Sequence, residues 1–230
     1  MKILAFVPAR GGSKSIKNKN MVLLNRKPLI FYTLKILKKI TKNTYPFIST
    51  DNKKIKNYCK KMGFNNSYVR PKILSGDKSN IVDAIKHALK WFKNKNIFFD
   101  AILLLQPTTP LRDLKELKAA INLFKKKKLK SLISVTKMKE HPYECIKYFN
   151  NKKWSYLIKN PQMRKGRQSY KKNFYFIDGA FYFAKINFLI KNKNFIDPKH
   201  TKIFVQKKTF PIDIDDKDDL LVSASFLKKS

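Results

Sequence analysis

The segment Ala9-Arg10-Gly11-Gly12-Ser13-Lys14, continued by Lys17-Asn18-Lys19-Asn20, gathers two of the chain's six glycines and several cations into one short stretch. Glycine lets a backbone approach a ligand closely and aim successive N–H groups at an anion. Arg10, Lys14 and Lys19 add positive charge around those amides, which together make a triphosphate cradle. The spacing is neither G-x-x-x-x-G-K nor G-x-G-x-x-G. For any single residue here, an ordinary strand-to-helix turn in a lysine-rich chain is the competing reading. The density of the combination favours phosphate.

A second concentration of chemistry lies near the other end. Asp213 to Asp219 holds five of the chain's 15 acidic residues. Asp213 and Asp215 alternate with Ile212 and Ile214, so an extended backbone puts both carboxylates on one face and both isoleucines on the other. Two hard oxygen ligands suit Mg²⁺, which usually binds one or two carboxylates plus substrate phosphates. Mn²⁺ accepts the same donors. Asp216, Asp218 and Asp219 fit the first turn of a C-terminal helix, where the helix dipole favours negative charge.

Between these ends, Gln106 to Arg112 is stiffened by Pro107 and Pro110, and the Gln106 amide suits a nucleobase edge. Arg112 reads more readily as a partner for a helix. Arg70 precedes Pro71, which holds its backbone extended. Arg164, Lys165, Arg167 and Gln168 form a basic run whose guanidinium groups suit a carboxylate, with a solvated surface as the alternative. His141, beside Pro142, is a candidate substrate contact.

These residues need a frame. Apolar runs at Ile3–Pro8, Phe47–Ser49, Tyr68–Val69, Ala101–Leu105, Leu132–Val135 and Gly179–Phe183 read as strands. Helices are expected from Pro28 at the first helical position to about Ile40, and from Asp51 as cap to Gly63. Others should run from Ser79 or Asn80 through Trp91, and from Asp113 to Phe124. The alternation predicts an α/β fold, a doubly wound and mostly parallel sheet, in one domain over residues 1–230. Ligands then bind beyond the carboxyl ends of the strands, where the loops at 9–20, 50–51, 106–112 and 136–142 lie. The pattern breaks at about 140–173. Two short strands, Tyr143–Phe149 and Trp154–Ile158, precede the basic run, an excursion suited to dimerisation.

The formal charge of +37 comes from 52 basic and 15 acidic residues, yet only six of the basic residues are arginine. The lysines spread along the whole chain, which reads as a solvated surface and not as a specific nucleic-acid site. Cys59 and Cys145 give neither a disulfide framework nor a metal spacing. The apolar run Ile3 to Ala9 is too short for a signal peptide, and no run approaches membrane-spanning length. The expectation is a soluble cytoplasmic protein.

Taken in order, these motifs resemble the acylneuraminate cytidylyltransferases, the CMP-sialic acid or CMP-nonulosonate synthetases. Their signature A-R-x-x-S-K-G-x-x-x-K-N is matched by Ala9 to Asn20, with Ser15 where the glycine stands. Ser49-Thr50-Asp51, Arg70-Pro71 and Asp77 in L-x-x-D follow. Leu104 to Arg112 is then close to L-L-Q-P-T-S-P-L-R. Glu140-His141-Pro142, Arg167-Gln168, Asp178-Gly179-Ala180 and Ile212-Asp213-Ile214-Asp215 complete the set over the full length. One departure is Tyr175-Phe176-Ile177-Asp178-Gly179, where relatives often carry an arginine shortly before Asn-Gly.

The resemblance implies a Rossmann-like nucleotidyltransferase fold and a homodimer. It also implies transfer of CMP from CTP to the anomeric hydroxyl of a sialic, legionaminic or related nonulosonic acid. CTP contacts are implied for Arg10, Gly11, Gly12, Ser13, Lys14, Lys19, Asn20, Arg70, Ser79, Gln106 and Thr108. Sugar contacts are implied for Gln106, His141, Arg167, Gln168 and Asp178. Arg10, Lys19, Asp213 and Asp215 form the catalytic set, and the two aspartates hold Mg²⁺. Related enzymes acting on Kdo or pseudaminic acid are the nearest alternative, and a non-catalytic polyanion binder is a more distant one.

Overall fold

The computed structural model describes residues 1–13, 15–77, 79–149, 153–158, 173–207 and 212–227. Lys14, Arg164, Lys165, Arg167 and Gln168 lie outside them. The first half runs β1 (Ile3–Pro8), β2 (Leu23–Leu24), β3 (Lys27–Pro28), α1 (Leu29–Lys38), β4 (Tyr45–Ser49), α2 (Lys53–Lys61) and α3 (Ile81–Lys93). After β5 (Ala101–Leu104), α4 (Leu114–Lys126) and β6 (Ser131–Lys137) come β7 (Ile146–Tyr148) and β8 (Trp154–Tyr156). The chain returns through β9 (Tyr175–Lys185), α5 (Ile186–Asn192), β10 (Thr201–Val205) and α6 (Lys217–Leu227).

Among the described residues, six strands form one sheet in the order β10-β6-β9-β5-β1-β4. β1 pairs in parallel with β4 and β5, and β10 with β6. β9 is antiparallel to both β5 and β6. The expected mostly parallel α/β sheet is therefore present, with one reversed strand near its middle. The reversal matters for the site. The amino-terminal half of β9 lies at the sheet edge where the parallel strands have their carboxyl ends.

Alternating side chains of β1 explain the double winding. Ile3, Ala5 and Val7 join a core with Leu34 and Leu37 of α1 and Leu117 and Phe124 of α4. Leu4 and Phe6 face the other way, against Val82, Ile85 and Phe92 of α3 and Leu189 of α5. A strand covered on both faces reads as an unbroken apolar run, as Ile3–Val7 does. A third apolar cluster, Ile16, Leu24, Leu29, Ile212 and Ile214, ties the Gly-rich loop to the acidic segment.

Several local expectations move by a residue. Pro28 is the N-cap of α1, not its first residue. Asn52, not Asp51, caps α2, its carbonyl oxygen accepting from the Lys54 and Ile55 N–H groups. Asn80, not Ser79, caps α3. Gly63 follows α2 with φ +84, the left-handed stop that glycine tolerates. Tyr68–Val69 forms no strand. Tyr68 is instead buried, and its hydroxyl meets His87 Nδ1 at 2.9 Å. Of the two short strands expected at Tyr143–Phe149 and Trp154–Ile158, the shorter β7 and β8 form and pair antiparallel, while Pro142–Glu144 is a 3-10 turn.

Asp113 caps α4 as expected, its Oδ1 accepting from Lys115 N at 2.7 Å and Glu116 N at 2.9 Å. Removing such a cap costs about 1 kcal/mol. Asp113→Ala is expected to lower the thermal midpoint by about 2–4 °C, measured by circular dichroism, with the fold retained.

Candidate functional site

A cleft of about 330 Å³ opens at the carboxyl ends of β1 and β5. Its wall brings together Arg10, Gly12, Ser13, Lys19, Asn20, Arg70, Ser79, Gln106, Thr108, Asp213 and Asp215. These come from both ends of the chain. The sequence had also marked Gly11, His141 and Asp178, and the structure places these three elsewhere.

The Gly-rich loop is held at its back. Gly11 N–H donates to Asp51 Oδ1 at 2.9 Å, so this amide is committed to the protein. The Asn52 side chain packs on Gly11 so closely that an added Cβ would lie 2.5 Å from Asn52 Nδ2. Glycine is required there by space. An added Cβ on Gly12 would meet nothing within 4 Å, and Gly12 lines the cleft. At the far end of the loop, Asn20 Nδ2 donates to Arg10 O at 2.9 Å, and Asn18 turns the chain at φ 55. The loop is thus closed on itself and pinned by the 51–52 corner. Sequence reading took Asp51 for a helix cap; its actual work is to orient this loop.

Charges across the cleft are paired. Arg10 Nη1 meets Asp77 Oδ1 at 3.0 Å. Arg70 is buried, its Nε donating to Ser49 Oγ at 2.9 Å and its Nη2 to Ser49 O at 2.6 Å. Burial lowers the Arg70 pKa below the usual arginine range, an effect that the Tyr68 and Asp51 charges oppose.

The Gln106–Arg112 loop is organised from within by Arg112. This buried guanidinium donates to the Gln106 and Ala180 carbonyls and to the Thr109 hydroxyl. It also donates to Thr33 Oγ1 of α1 at 3.0 Å. Burial pulls its pKa down to about 9, against the pull of Asp213 and Asp178, so it stays charged at neutral pH.

The acidic segment docks on the same loop. Ile214 N–H donates to Thr108 O at 2.8 Å. Ile212 and Ile214 are buried and the two aspartates face the cleft, the alternation that the sequence predicts. The protein that walls the Asp213 carboxyl desolvates it and raises its pKa, and the Asp215 charge adds to this. The Thr108 hydroxyl, Lys19 and Arg112 oppose the rise. Lys19 Nζ, though it borders the cleft, is directed at the 214–215 segment, reaching Ile214 O at 2.9 Å and Asp215 Oδ1 at 3.1 Å.

Among the described residues, no three His, Cys, Asp or Glu side chains gather to hold a metal ion. The Asp213–Asp215 pair nevertheless fits a divalent cation whose remaining ligands are substrate oxygens and water. Its two carboxylates face one cleft, and the Asp215 charge adds to the cost of ionising Asp213.

Asp178 is buried behind the cleft. Its carboxylate accepts from Ser134 Oγ at 2.5 Å, Gln206 Nε2 at 2.6 Å and Ala180 N at 3.0 Å. Gly179, at φ +71, lets β9 pass the cleft floor, since an added Cβ would lie 3.2 Å from Thr109 Cγ2 and 3.4 Å from Asp213 Oδ2. His141 Nδ1 accepts from Tyr143 N at 3.3 Å, and the ring packs on Tyr143 and Phe174. Sequence reasoning missed the pairing of Asp77 with Arg10, for which the position of Asp77 in L-x-x-D was the available signal. Its reading of Arg112 as a partner for a helix agrees with the bond to Thr33 of α1, while the bonds to Gln106, Thr109 and Ala180 were not foreseen.

Comparison with known proteins places this arrangement. Residues 4–215 match the family model described as Cytidylyltransferase. The chain is 30% identical over 217 residues to CMP-N,N'-diacetyllegionaminic acid synthase of Legionella pneumophila, covering 94% of this chain and 91% of that one. It is equally, 30%, identical over 220 residues to pseudaminic acid cytidylyltransferase of Campylobacter jejuni, covering 96% and 94%. Among solved structures, CMP:2-keto-3-deoxy-manno-octonic acid synthetase complexed with CTP superposes with a TM-score of 0.73 at 13% identity, over 100% of this chain and 99% of that one.

The two loop glycines should respond unequally to a methyl group. Gly11→Ala forces Asn52 or the loop to move, at about 1–3 kcal/mol. Gly12→Ala should stay within about 0.5 kcal/mol of the parent. Thermal unfolding of the two variants side by side tests this. Equal midpoints would show that the Gly11–Asn52 contact does not constrain the loop.

Proposed function

The chain belongs to the cytidylyltransferase family, and from that premise we propose that it transfers CMP from CTP to the anomeric hydroxyl of a nine-carbon acidic sugar. The observation that carries the proposal is the shared cleft. Three surfaces line it together: a Gly-rich loop with Arg10, the Arg70 and Gln106 edge, and two carboxylates. A nucleoside triphosphate needs all three surfaces.

In this reading, Arg70 and Gln106 face the base, with Ser79 and Thr108 alongside. Arg10 and the amides of Gly12 and Ser13 face the phosphates, braced by Asn20. The anomeric hydroxyl attacks the α-phosphorus. A P–O bond forms there, the bond to the bridging oxygen breaks, and pyrophosphate leaves while the hydroxyl proton passes to solvent. Charge moves toward the leaving group, where prepositioned donors matter most. Asp213 and Asp215 would hold Mg²⁺ or Mn²⁺, which when bound supplies positive charge to phosphate oxygens.

The acceptor sugar belongs beside Gln106, towards β6 and β9. We assign Arg167 and Gln168 to its carboxylate and His141 to the rim of its pocket. Asp178 acts from behind, holding the β9 backbone at Ala180. A sialic or legionaminic-type acid is the proposed acceptor. Pseudaminic acid is a second reading, favoured by the equal 30% identity to an enzyme named for it.

The hairpin exposes Ile146, Tyr148, Trp154 and Tyr156 on one face, and the start of β9 exposes Phe176 and Ile177, apolar surface that a second copy of the chain would cover in a homodimer. No described helix is long and apolar enough to cross a membrane. We place the reaction in the cytoplasm, where CTP is made.

Pyrophosphate release, measured with CTP against sialic, legionaminic, pseudaminic and Kdo acids, tests the assignment. A nine-carbon acid should give the highest kcat/KM. UTP should be slower by roughly 10³-fold or more, because the wrong base leaves buried polar groups unpaired. Asp213→Asn should lose turnover while remaining folded. Full activity in EDTA, or comparable rates with UTP, would overturn these roles.

A further inference from the structure

We propose that the outer face of α1, α2 and α4 is a docking surface for an anionic phospholipid bilayer, held there by charge alone.

The three helices form one layer. Leu34 and Leu37 of α1, Ile55 and Cys59 of α2, and Leu117 and Phe124 of α4 share one core against the sheet. Their outward sides are almost entirely lysine. α1 exposes only Lys35 and Lys38. α2 exposes Asn57 and four lysines, and α4 exposes Ala119, Asn122 and three lysines. Nine of the twelve exposed residues are therefore cations. The single acid in these helices, Glu116, is half-buried, and its Oε1 accepts from Lys207 N at 2.7 Å.

A lysine-rich composition would by itself coat both sides of the sheet alike. The two sides differ instead. α3 and α5, which cover the other side, expose a mixed set: Asp83, Lys90, Lys93, Asn187, Ile190 and Lys191. Asp83 also meets Lys86 Nζ at 3.5 Å. One helical layer is thus cationic without relief, and the opposite one is not.

Like charges crowded on one face repel, and an anionic partner removes that cost. A second copy of the chain, itself at +37, does not. Nucleic acid is read through arginine forks and stacked aromatic rings, and none of the twelve exposed residues is arginine or aromatic. Lysine ammoniums on flexible stems respond to charge density and not to headgroup shape. Clustered lysines near an anionic bilayer gain from its surface potential within about a Debye length. These helices expose no large apolar side chain, so nothing enters the hydrocarbon and salt releases the protein. The cleft stays open when this face is docked. It lies at the carboxyl ends of the strands, and its wall includes Ile81 and Ala84 of α3, on the other side of the sheet.

Cosedimentation with vesicles of phosphatidylcholine and phosphatidylglycerol in a two-to-one ratio tests the assignment. The protein should bind at about 0.05 M salt and come off at about 0.5 M, and vesicles of phosphatidylcholine alone should take up none. Lys35→Glu, Lys53→Glu and Lys118→Glu together, one on each helix, should lower vesicle affinity at least ~10-fold. Lys90→Glu, Lys93→Glu and Lys191→Glu together change the net charge equally on the opposite side, and should stay within about 3-fold of the parent. Circular dichroism checks that both variants fold. Lys35→Gln, Lys53→Gln and Lys118→Gln together serve if the glutamate variant does not, with a smaller loss in the same direction. Equal losses in the two triple variants, or no uptake by anionic vesicles at low salt, overturns the proposal. Tighter binding of a mixed-sequence RNA at the same salt, lost in the first variant only, would overturn it in favour of nucleic acid.

Discussion

A buried guanidinium can persist only if nearly all of its donors find acceptors, because the desolvation of such a cation costs several kcal/mol. Arg112 meets that demand by drawing four acceptors from three parts of the fold: Thr33 on α1, the Gln106–Thr109 turn and Ala180 on β9. Each acceptor is thereby fixed relative to the others. The loop that offers Gln106 to the cleft, the strand that passes beneath it and the helix that follows the Gly-rich loop are locked at one point. Asp213 and Asp178 lie close enough for their charges to favour the cation. The cleft carboxylate and the buried one therefore also stabilise the clamp. A lysine could supply the charge but not the planar fork that serves three elements at once.

The reversed strand follows from the same geometry. In a wholly parallel sheet every strand would deliver only its carboxyl end to the cleft side. β9 arrives from the excursion and enters the sheet at that side, so Asp178 and Gly179 stand near the cleft while Phe181 and Phe183 continue into the core. Gly179 permits the close pass, and Asp178 fixes the backbone on either side of it through Ser134, Gln206 and the Ala180 amide. One strand thus links the excursion, the Arg112 clamp and the acidic segment.

Much of this was legible in the sequence where the physics is local. The period-two alternation of Ile212 to Asp215 gave the face of each residue, because an extended chain leaves no other choice. The Asp113 cap and the Gly63 stop were readable from residue type alone. What was not legible depends on contacts between distant residues. Asp51 looks like a helix cap by its position, yet the cap is Asn52, because the Asp51 carboxylate is taken by the Gly11 amide across 40 positions. Tyr68 has the apolar and aromatic character of a strand residue, but it is buried by packing on Phe47 and Trp91 and by its bond to His87, not by a ladder. α5 and β10 went unread in the sequence, although each carries three consecutive apolar residues, at 188–190 and 203–205. The orientation of β9 could not be read from periodicity, which is the same for parallel and antiparallel pairing.

The charge distribution completes the argument. With 52 basic and 15 acidic residues, most lysines have no carboxylate to pair with. At the cleft the balance is different, since Asp51, Asp77, Asp213 and Asp215 all lie in or against it. A bare basic surface attracts any polyanion in proportion to its charge, and salt screens that attraction. Inside the cleft each cation among the described residues is instead held in a fixed direction by an oxygen acceptor: Arg10 by Asp77, Arg70 by Ser49 and Lys19 by residues 214 and 215. Fixed charges discriminate by geometry, and prepositioned ones need not reorganise as charge moves in a reaction. The scarce carboxylates therefore convert a generally cationic chain into one with a specific site. The excess lysines outside it govern solubility and long-range attraction of anions, but they carry no geometric information.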